Sequence, residues 1–271
     1  MRSAGLRLRR VRGPRPLRTG GCDGVTFARY RDKADRLRRR FNEDFWLEDQ
    51  GTYALGLDAE KRPIDAVTSN AGHCLWAGIA DADKAAQVAT RLMAPDVFSG
   101  WGVRTLASTM KAYNPVSYHN GSVWPHDNAL CAAGLARYGH LDAAHRIIDA
   151  QLAVASLASG QLPELFAGFD REAIPVPAAY PASCSPQAWA AASPLLWLRT
   201  LLNLDPWVPQ RKVWVSPALS PSIRRLRVDA VRVGESTLSV EVDADTVDVV
   251  VDDGLEVVAG RRGALTEIIP D

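Results

Sequence analysis

The 271-residue sequence lacks the features that mark several large protein classes. It has only four cysteines, which are widely scattered and form no CxxC pair, so we expect neither a zinc site nor a disulfide framework. No apolar run approaches the roughly 18 residues that span a bilayer, and the N-terminus lacks the apolar stretch of a secretory signal. We therefore expect a cytoplasmic protein that does not bind membranes.

Short motifs for nucleotide, metal and serine-hydrolase sites are also missing. No glycine-rich phosphate loop follows a strand pattern, and there is no GxSxG elbow. His119 and His126 lack the close spacing of a zinc site, and the acidic residues do not form a calcium loop. The sequence thus predicts no metal and no cofactor.

Basic charge is concentrated at the N-terminus. Residues 1–20 contain seven arginines and no acidic residue, although the whole chain has a net charge of only +1, so the rest of the chain is mildly acidic. This distribution argues against nucleic acid as the main ligand. Residues 1–24 show no helical or strand periodicity and are predicted to be a disordered Arg-rich tail. A basic nucleic-acid-binding arm and a targeting presequence are the alternatives.

Hydrophobic periodicity separates a helical part of the chain from a β part. From Tyr30 onward, apolar residues recur at three- and four-residue steps and predict a series of short helices. From Arg224 the period changes to two, which predicts a small antiparallel sheet. We therefore predict a mainly α fold, with a helical domain at residues 25–208 and a β-rich appendage at 209–271. Long connections between the helices are candidates for function; they are residues 47–68, 95–103, 111–125 and 160–184.

One of these connections leads into a helix with a cluster of aromatic and polar residues. Aromatic faces beside hydrogen-bonding groups suit a sugar, because a pyranose has apolar ring faces and a rim of hydroxyls. The alternative is structural: Asp127 and Asn128 cap the helix, and His126 makes an internal hydrogen bond. The cluster consists of Tyr118, His119, Asn120, Trp124, His126, Asp127 and Asn128.

A single carboxylate, Glu164, stands in the apolar segment LPELFAGFD. An acidic group among apolar neighbours has a raised pKa and can accept a proton near neutral pH, so Glu164 is a candidate general base. The alternative is a first-turn glutamate favoured by a helix dipole. On the following predicted helix, Trp189 is expected in the core rather than as a binding platform.

Several motifs, in order, resemble one family of carbohydrate enzymes. They are TSNAGHCLWAGIA, FSGWGVRTLAST, YNPVSYHNGSVWPHDNALCAAGLARYG, LPELFAGFD and YPASCSPQAWAAASPLLWL. Between about Tyr30 and Asp205 the chain resembles the C-terminal half of the bacterial amylo-alpha-1,6-glucosidase, or glycogen-debranching-enzyme-like, family. The resemblance implies a glucoamylase-like six-hairpin fold: a partial (α/α)6 toroid of about the last six helices, followed by the small antiparallel β appendage.

The resemblance also implies roles for particular residues. Glu164 corresponds to the general base, and Trp101 and Arg104 join the sugar pocket. The family's general acid lies in a Trp-Lys-Asp-Ser type motif that this sequence lacks. Asp127 is expected to bind substrate, and it is also a candidate to replace the missing acid. The other residues implied in substrate binding are Tyr118, His119, Trp124, His126 and Gln187.

We therefore expect a glycoside hydrolase fragment that cleaves α-glucosidic bonds by inverting water attack, or descends from enzymes that do. Inversion needs a second carboxyl group about 6.5–9.5 Å from the base. The expected ligand is an α-linked oligosaccharide or glucan, and a companion chain that carries the missing half toroid is a candidate partner. The alternatives are a non-catalytic carbohydrate-binding or interaction remnant, and a helical scaffold whose resemblance is accidental.

Overall fold

The computed structural model describes residues 5–11, 24–243, 246–252 and 254–262. The chain divides into two compact units. One unit is Arg31–Leu198, and the other combines Met1–Tyr30 with Arg199–Asp271. The predicted boundary between a helical domain and a β appendage at residues 208 and 209 remains a prediction.

Six α-helices occur among the described residues. They are α1 (Gly24–Asp44), α2 (Asn70–Ala77), α3 (Ala82–Leu92), α4 (Pro125–Arg137), α5 (Leu141–Leu157) and α6 (Ala188–Leu202). Their local sequences explain several of them. In α3 the buried residues are Ala85, Val88, Ala89 and Leu92, the helical stripe that the sequence predicts. Helix α4 begins with a proline, whose missing N–H costs nothing at the first helical position.

Helices α2 and α4 approach each other closely because glycine lies at their contact. A Cβ atom at Gly134 would lie 2.6 Å from the carbonyl oxygen of Gly72 and from the backbone nitrogen of Trp76. A Cβ atom at Gly72 would overlap the Cys131 thiol. Side chains at these positions would push the helices apart, so the glycines fix the spacing that places α2 beside the start of α4.

The long connections of the unit Arg31–Leu198 are held together by isolated backbone bridges. Val123 and Phe166 exchange two backbone hydrogen bonds, of 2.9 and 3.0 Å. Val123 also bridges to Arg104, and Phe166 bridges to Ala179. Both Val123 and Phe166 are buried, so the segments before α4 and around residue 164 are fixed side by side.

The nine described strands form three sheets. A hairpin joins β2 (Trp46–Leu47) and β3 (Thr52–Tyr53). A four-stranded sheet has the order β1 (Gly5–Val11), β8 (Thr246–Asp252), β7 (Ser236–Asp243) and β6 (Arg225–Val233). A three-stranded sheet has the order β4 (Asp205–Trp207), β5 (Lys212–Val215) and β9 (Glu256–Ala259).

Alternating burial along β7 and β8 builds the core of the larger sheet. Leu238 and Val240 in β7, and Val249 and Val251 in β8, are buried, as the period-two pattern predicts. The sheets are not purely antiparallel, however. Strand β1 pairs parallel to β8, and β9 pairs parallel to β5.

The predicted fold class, a mainly α partial toroid with a small antiparallel appendage, is wrong. The described residues form a mixed α and β structure, with six helices and nine strands in three sheets. The prediction overlooked strands that have weak local patterns. Gly5–Val11 lies in the predicted disordered tail, yet it forms β1, because β8 supplies a pairing edge that the local sequence does not reveal. Residues 1–4 and 12–23 of that tail lie outside the described residues.

Among the described residues, no helix combines the length and the hydrophobicity required to cross a lipid bilayer.

Candidate active site

A cavity of about 540 Å³ lies in the unit Arg31–Leu198, where the segments before α2 and α4 meet the start of α6. Its volume is in the range of small-molecule sites. Six residues of the cluster that the sequence predicts for sugar binding line it: Tyr118, His119, Asn120, Trp124, His126 and Asp127. The structure therefore brings together most of the predicted substrate-binding residues.

One wall of the cavity is an aromatic cluster around Trp124. The Trp124 indole N–H donates to Ser122 Oγ at 3.0 Å and to the Tyr118 carbonyl at 3.2 Å, which fixes the ring. His119 lies parallel to Trp124 at a centroid distance of 5.9 Å, and Tyr118 meets Trp124 edge-on at 4.9 Å. These rings offer a rigid apolar surface with polar edges.

Glu164 is joined to this aromatic wall by Tyr118. The Tyr118 hydroxyl donates to Glu164 Oε1 at 2.6 Å, and this hydrogen bond to the carboxylate raises the pKa of Tyr118 to about 12. The phenol therefore stays protonated at neutral pH and remains a donor. The Glu164 backbone N–H donates to the Cys184 carbonyl at 2.9 Å, so both main chain and side chain are held. Glu164 itself is half-buried and reaches the cavity wall through Tyr118.

A histidine and aspartate pair lies in the cavity wall between α2 and α4. His73 Nε2 is hydrogen-bonded to Asp127 Oδ1, and both residues line the cavity. Burial opposes protonation of His73, but the hydrogen bond and the charge of Asp127 outweigh it and raise the pKa of His73 above its usual 6.5. The other Asp127 oxygen, Oδ2, is buried without a hydrogen-bond partner. The pairing of His73 with Asp127 is not evident from the sequence, because 54 residues separate them.

A second aromatic pair forms where α4 and α6 begin. The His126 imidazole and the Trp189 indole stack at 4.2 Å with an angle of 9° between the rings. Burial, together with the nearby His73, lowers the pKa of His126 against the opposing effect of Asp127. Trp189 was expected in the core, but it is 48% exposed and lines the cavity.

Asn128 does not cap α4 with its side chain, contrary to the alternative from sequence. Helix α4 has no side-chain cap hydrogen bond at its N-terminus. Asn128 Oδ1 accepts from the Val103 N–H at 2.7 Å, and Nδ2 donates to the Val103 carbonyl at 3.1 Å. The buried amide therefore ties the segment around Val103 to the helix.

Besides Glu164, three predicted site residues lie outside the cavity lining and make other contacts. Arg104 is buried and donates to the Gly168 carbonyl at 2.7 Å, to the Pro95 carbonyl at 3.1 Å and to Asp170 Oδ1 at 2.5 Å. These hydrogen bonds connect the segment that follows Glu164 to Arg104 and to Pro95.

Trp101 and Gln187 also form hydrogen bonds with backbone groups. The buried Trp101 donates its indole N–H to the Ile174 carbonyl at 3.1 Å. Gln187 Oε1 accepts from the Ala190 N–H at 3.0 Å, which is the hydrogen bond of a helix N-cap at the start of α6. The roles of Trp101, Arg104 and Gln187 in sugar binding remain predictions.

Comparison with known families identifies the domain. The family model for the mannosylglycerate hydrolase MGH1-like glycoside hydrolase domain matches residues 21–172, more than half of the chain. The chain belongs to this family. The matched region thus contains α2, the aromatic wall around Trp124, Asp127 and Glu164. Membership confirms the predicted resemblance at the level of a glycosidase family, and it does not identify the debranching enzyme.

Two solved structures share the fold at low sequence identity, and a third aligns less well. A chain named sialidase aligns with a TM-score of 0.68 at 12% identity, over 84% of this chain and 23% of that one. The neutral trehalase Nth1 from Saccharomyces cerevisiae aligns with a TM-score of 0.51 at 16% identity, over 64% and 30%. The GH63 mannosylglycerate hydrolase from Thermus thermophilus in complex with glucose has a TM-score of 0.48 at 23% identity, over 58% and 37%.

The MGH1-like chain therefore spans well under half the length of each of these structural neighbours. A comparison with curated proteins finds no match.

One group in the MGH1-like domain has the composition of a metal site. Ligand atoms of His73, Asp127 and Cys131 lie within 4.8 Å of one another. Metals bind the thiolate form of cysteine, but burial, followed by the charge of Asp127, raises the pKa of Cys131 well above its usual value. Because His73 Nε2 is also engaged with Asp127, the arrangement favours a hydrogen-bonded pair over a metal centre.

Proposed function

We propose that the chain takes part in hydrolysis of α-glucosidic bonds with inversion, and that Glu164 is the general base. The observation that carries the proposal is the 2.6 Å hydrogen bond from Tyr118, a cavity residue, to Glu164 Oε1. The hydroxyl holds one carboxylate oxygen in place, so the side chain of the proposed base keeps one orientation beside the cavity wall. Membership in a glycoside hydrolase family is consistent with this chemistry.

The proposed reaction is a single displacement at the anomeric carbon of the sugar. Glu164 takes a proton from water as the water oxygen bonds to that carbon. The bond from the same carbon to the glycosidic oxygen breaks, and a general acid protonates the leaving oxygen. We propose inversion because the resemblance assigns Glu164 to activation of water, not to nucleophilic attack.

The general acid is the unassigned part of this mechanism. Asp127 is the one carboxylate that lines the cavity within the described parts of the chain. It is buried and hydrogen-bonded to His73, so it is engaged in the folded protein. We therefore propose either Asp127 or a companion chain as the source of the acid, and an α-linked oligosaccharide or glucan as the substrate.

The decisive variant is Glu164→Gln, which keeps the shape of the side chain but cannot accept a proton. Hydrolysis of maltooligosaccharides, trehalose and mannosylglycerate is measured with wild type and variant, and the anomeric form of the first product is read by NMR. We expect turnover by wild type to be lost in Glu164→Gln, with sugar affinity retained. Glu172→Gln is the matched control, because Glu172 is exposed on the same connection.

Hydrolysis retained in Glu164→Gln would contradict the assignment of the base, and a first product of retained configuration would contradict inversion.

A second candidate function is carbohydrate binding without catalysis. The observation that favours it is the engagement of Asp127 with His73, which leaves the cavity without a free carboxyl group among its described lining residues. In that case the wild-type chain binds the same sugars and Glu164→Gln has no effect on any rate, because there is no turnover to lose.

A further inference from the structure

Trp189 is an unusual residue for its position in the fold. It lies in the first turn of α6, lines the cavity and is 48% exposed. An indole is the largest apolar side chain, and leaving half of it in water forgoes much of the free energy of its burial. Exposed aromatic surface inside a concave site is typical of a ligand contact.

The orientation of the Trp189 ring is fixed by His126. The two rings are nearly parallel, 4.2 Å apart, and His126 lies in the first turn of α4, next to the buried Asp127. Because the pKa of His126 is lowered, its imidazole is neutral at pH 7, and an uncharged ring stacks on the Trp189 indole. One face of the indole is therefore covered, and the exposed area belongs to the opposite face and the edges.

The cavity thus contains two indole rings, each with a parallel imidazole. Trp124 with His119 is coupled through Tyr118 to Glu164, whereas Trp189 with His126 comes from the start of a different helix. An open, pre-oriented indole face attracts the apolar C–H face of a pyranose, and little side-chain entropy is lost on binding. With a first sugar at the Tyr118 and Trp124 wall, the Trp189 face is a candidate contact for a second one.

We propose that Trp189, supported by His126, forms a second sugar subsite that binds a further pyranose unit of an oligosaccharide. This inference rests on the proposed carbohydrate function but does not require turnover. It predicts that the cavity prefers di- and trisaccharides to a monosaccharide, and that the preference depends on the indole of Trp189.

The test compares binding of glucose and maltotriose by calorimetry to the full chain, wild type and variants. Trp189→Ala should weaken maltotriose binding about tenfold and leave glucose binding unchanged. Trp76→Ala is the matched control, because Trp76 has the same 48% exposure but lies on α2 outside the cavity lining. We expect the control to bind both sugars as wild type does.

A second measurement covers the case in which Trp189→Ala fails to fold. Trp189→Phe keeps an aromatic ring, and it should weaken maltotriose binding by a smaller factor, about threefold. Maltotriose should also change the intrinsic fluorescence of wild type and Trp76→Phe more than that of Trp189→Phe, in which Trp124 is the remaining indole of the cavity lining.

Three outcomes would overturn the subsite. In the first, Trp189 variants bind maltotriose as tightly as the Trp76 control. In the second, the variants lose affinity for glucose and for maltotriose by the same factor, which would place Trp189 in the first sugar site. In the third, wild type binds no sugar more tightly than glucose. Failure of the base assignment is separate, since it appears as hydrolysis by Glu164→Gln and leaves these binding ratios unaffected.

Discussion

Arg104 offers the clearest test of how the cavity is held in shape. Its guanidinium is buried and donates to two backbone carbonyls and to Asp170. The substitution Arg104→Met keeps most of the apolar stem and removes all of these donors. We expect it to destabilise the fold, because a hydrogen bond from a charged group contributes about 1.5–3 kcal/mol.

The contacts around Arg104 limit the expected loss in the free energy of unfolding to about the contribution of one such hydrogen bond. The Gly168 carbonyl keeps a second donor, the Tyr113 hydroxyl at 3.1 Å. The Asp170 side chain is 60% exposed, so water replaces its lost partner. Removing the guanidinium also removes the cost of burying its charge. We therefore expect a loss of about 2 kcal/mol in the free energy of unfolding, and not the roughly 3–5 kcal/mol of breaking a fully buried ion pair.

Urea unfolding followed by circular dichroism measures this loss, with the midpoint lowered and the slope unchanged. Arg36→Met is the control, because Arg36 is exposed on α1; its effect should stay within about 0.5 kcal/mol. A loss for Arg104→Met as small as that of the control would refute the view that this arginine fastens the segment after Glu164. Arg104→Lys should fall between wild type and Met, since lysine keeps the charge but not the planar set of donors.

Two further predictions concern the hydrogen bond to Glu164 and the contact of α2 with α4. Tyr118→Phe removes the donor to Glu164 while keeping the ring, so kcat should fall about tenfold with little change in KM; a rise in KM alone would mean that the hydroxyl binds sugar instead. Gly134→Ala places a methyl group 2.6 Å from backbone atoms of α2 and should destabilise the protein by about 1–3 kcal/mol in thermal unfolding. A stabilisation of about 1 kcal/mol, as helix propensity alone would give, would contradict the close packing.

Local patterns in the sequence predicted the secondary structure well where one face of an element is buried. The stripe of Ala85, Val88 and Leu92 marks α3, and the alternation of Leu238 and Val240 marks β7. The fold class was predicted wrongly, because local periodicity and the family resemblance both favoured a mainly α fold, whereas the described residues form a mixed one. Pairing of distant edges, such as β1 with β8, depends on contacts far apart in the chain, which no local period records.

The candidate site was predicted in part. Tyr118, Trp124 and Asp127 were expected at the sugar site because they fall in one short segment, and the structure places them in one cavity. Residues that join the site from elsewhere were harder to find. His73 reaches Asp127 across the contact of two helices, and Trp189 owes its exposure to the geometry of the cavity, so neither position was evident from sequence spacing.

The paired hydrogen bonds between Val123 and Phe166 make the two segments that carry the aromatic wall and Glu164 a single unit for protein engineering. Replacing only one segment with that of a homologue would disturb the backbone hydrogen bonds between the two segments. Loop exchange intended to change specificity should therefore transfer both segments together.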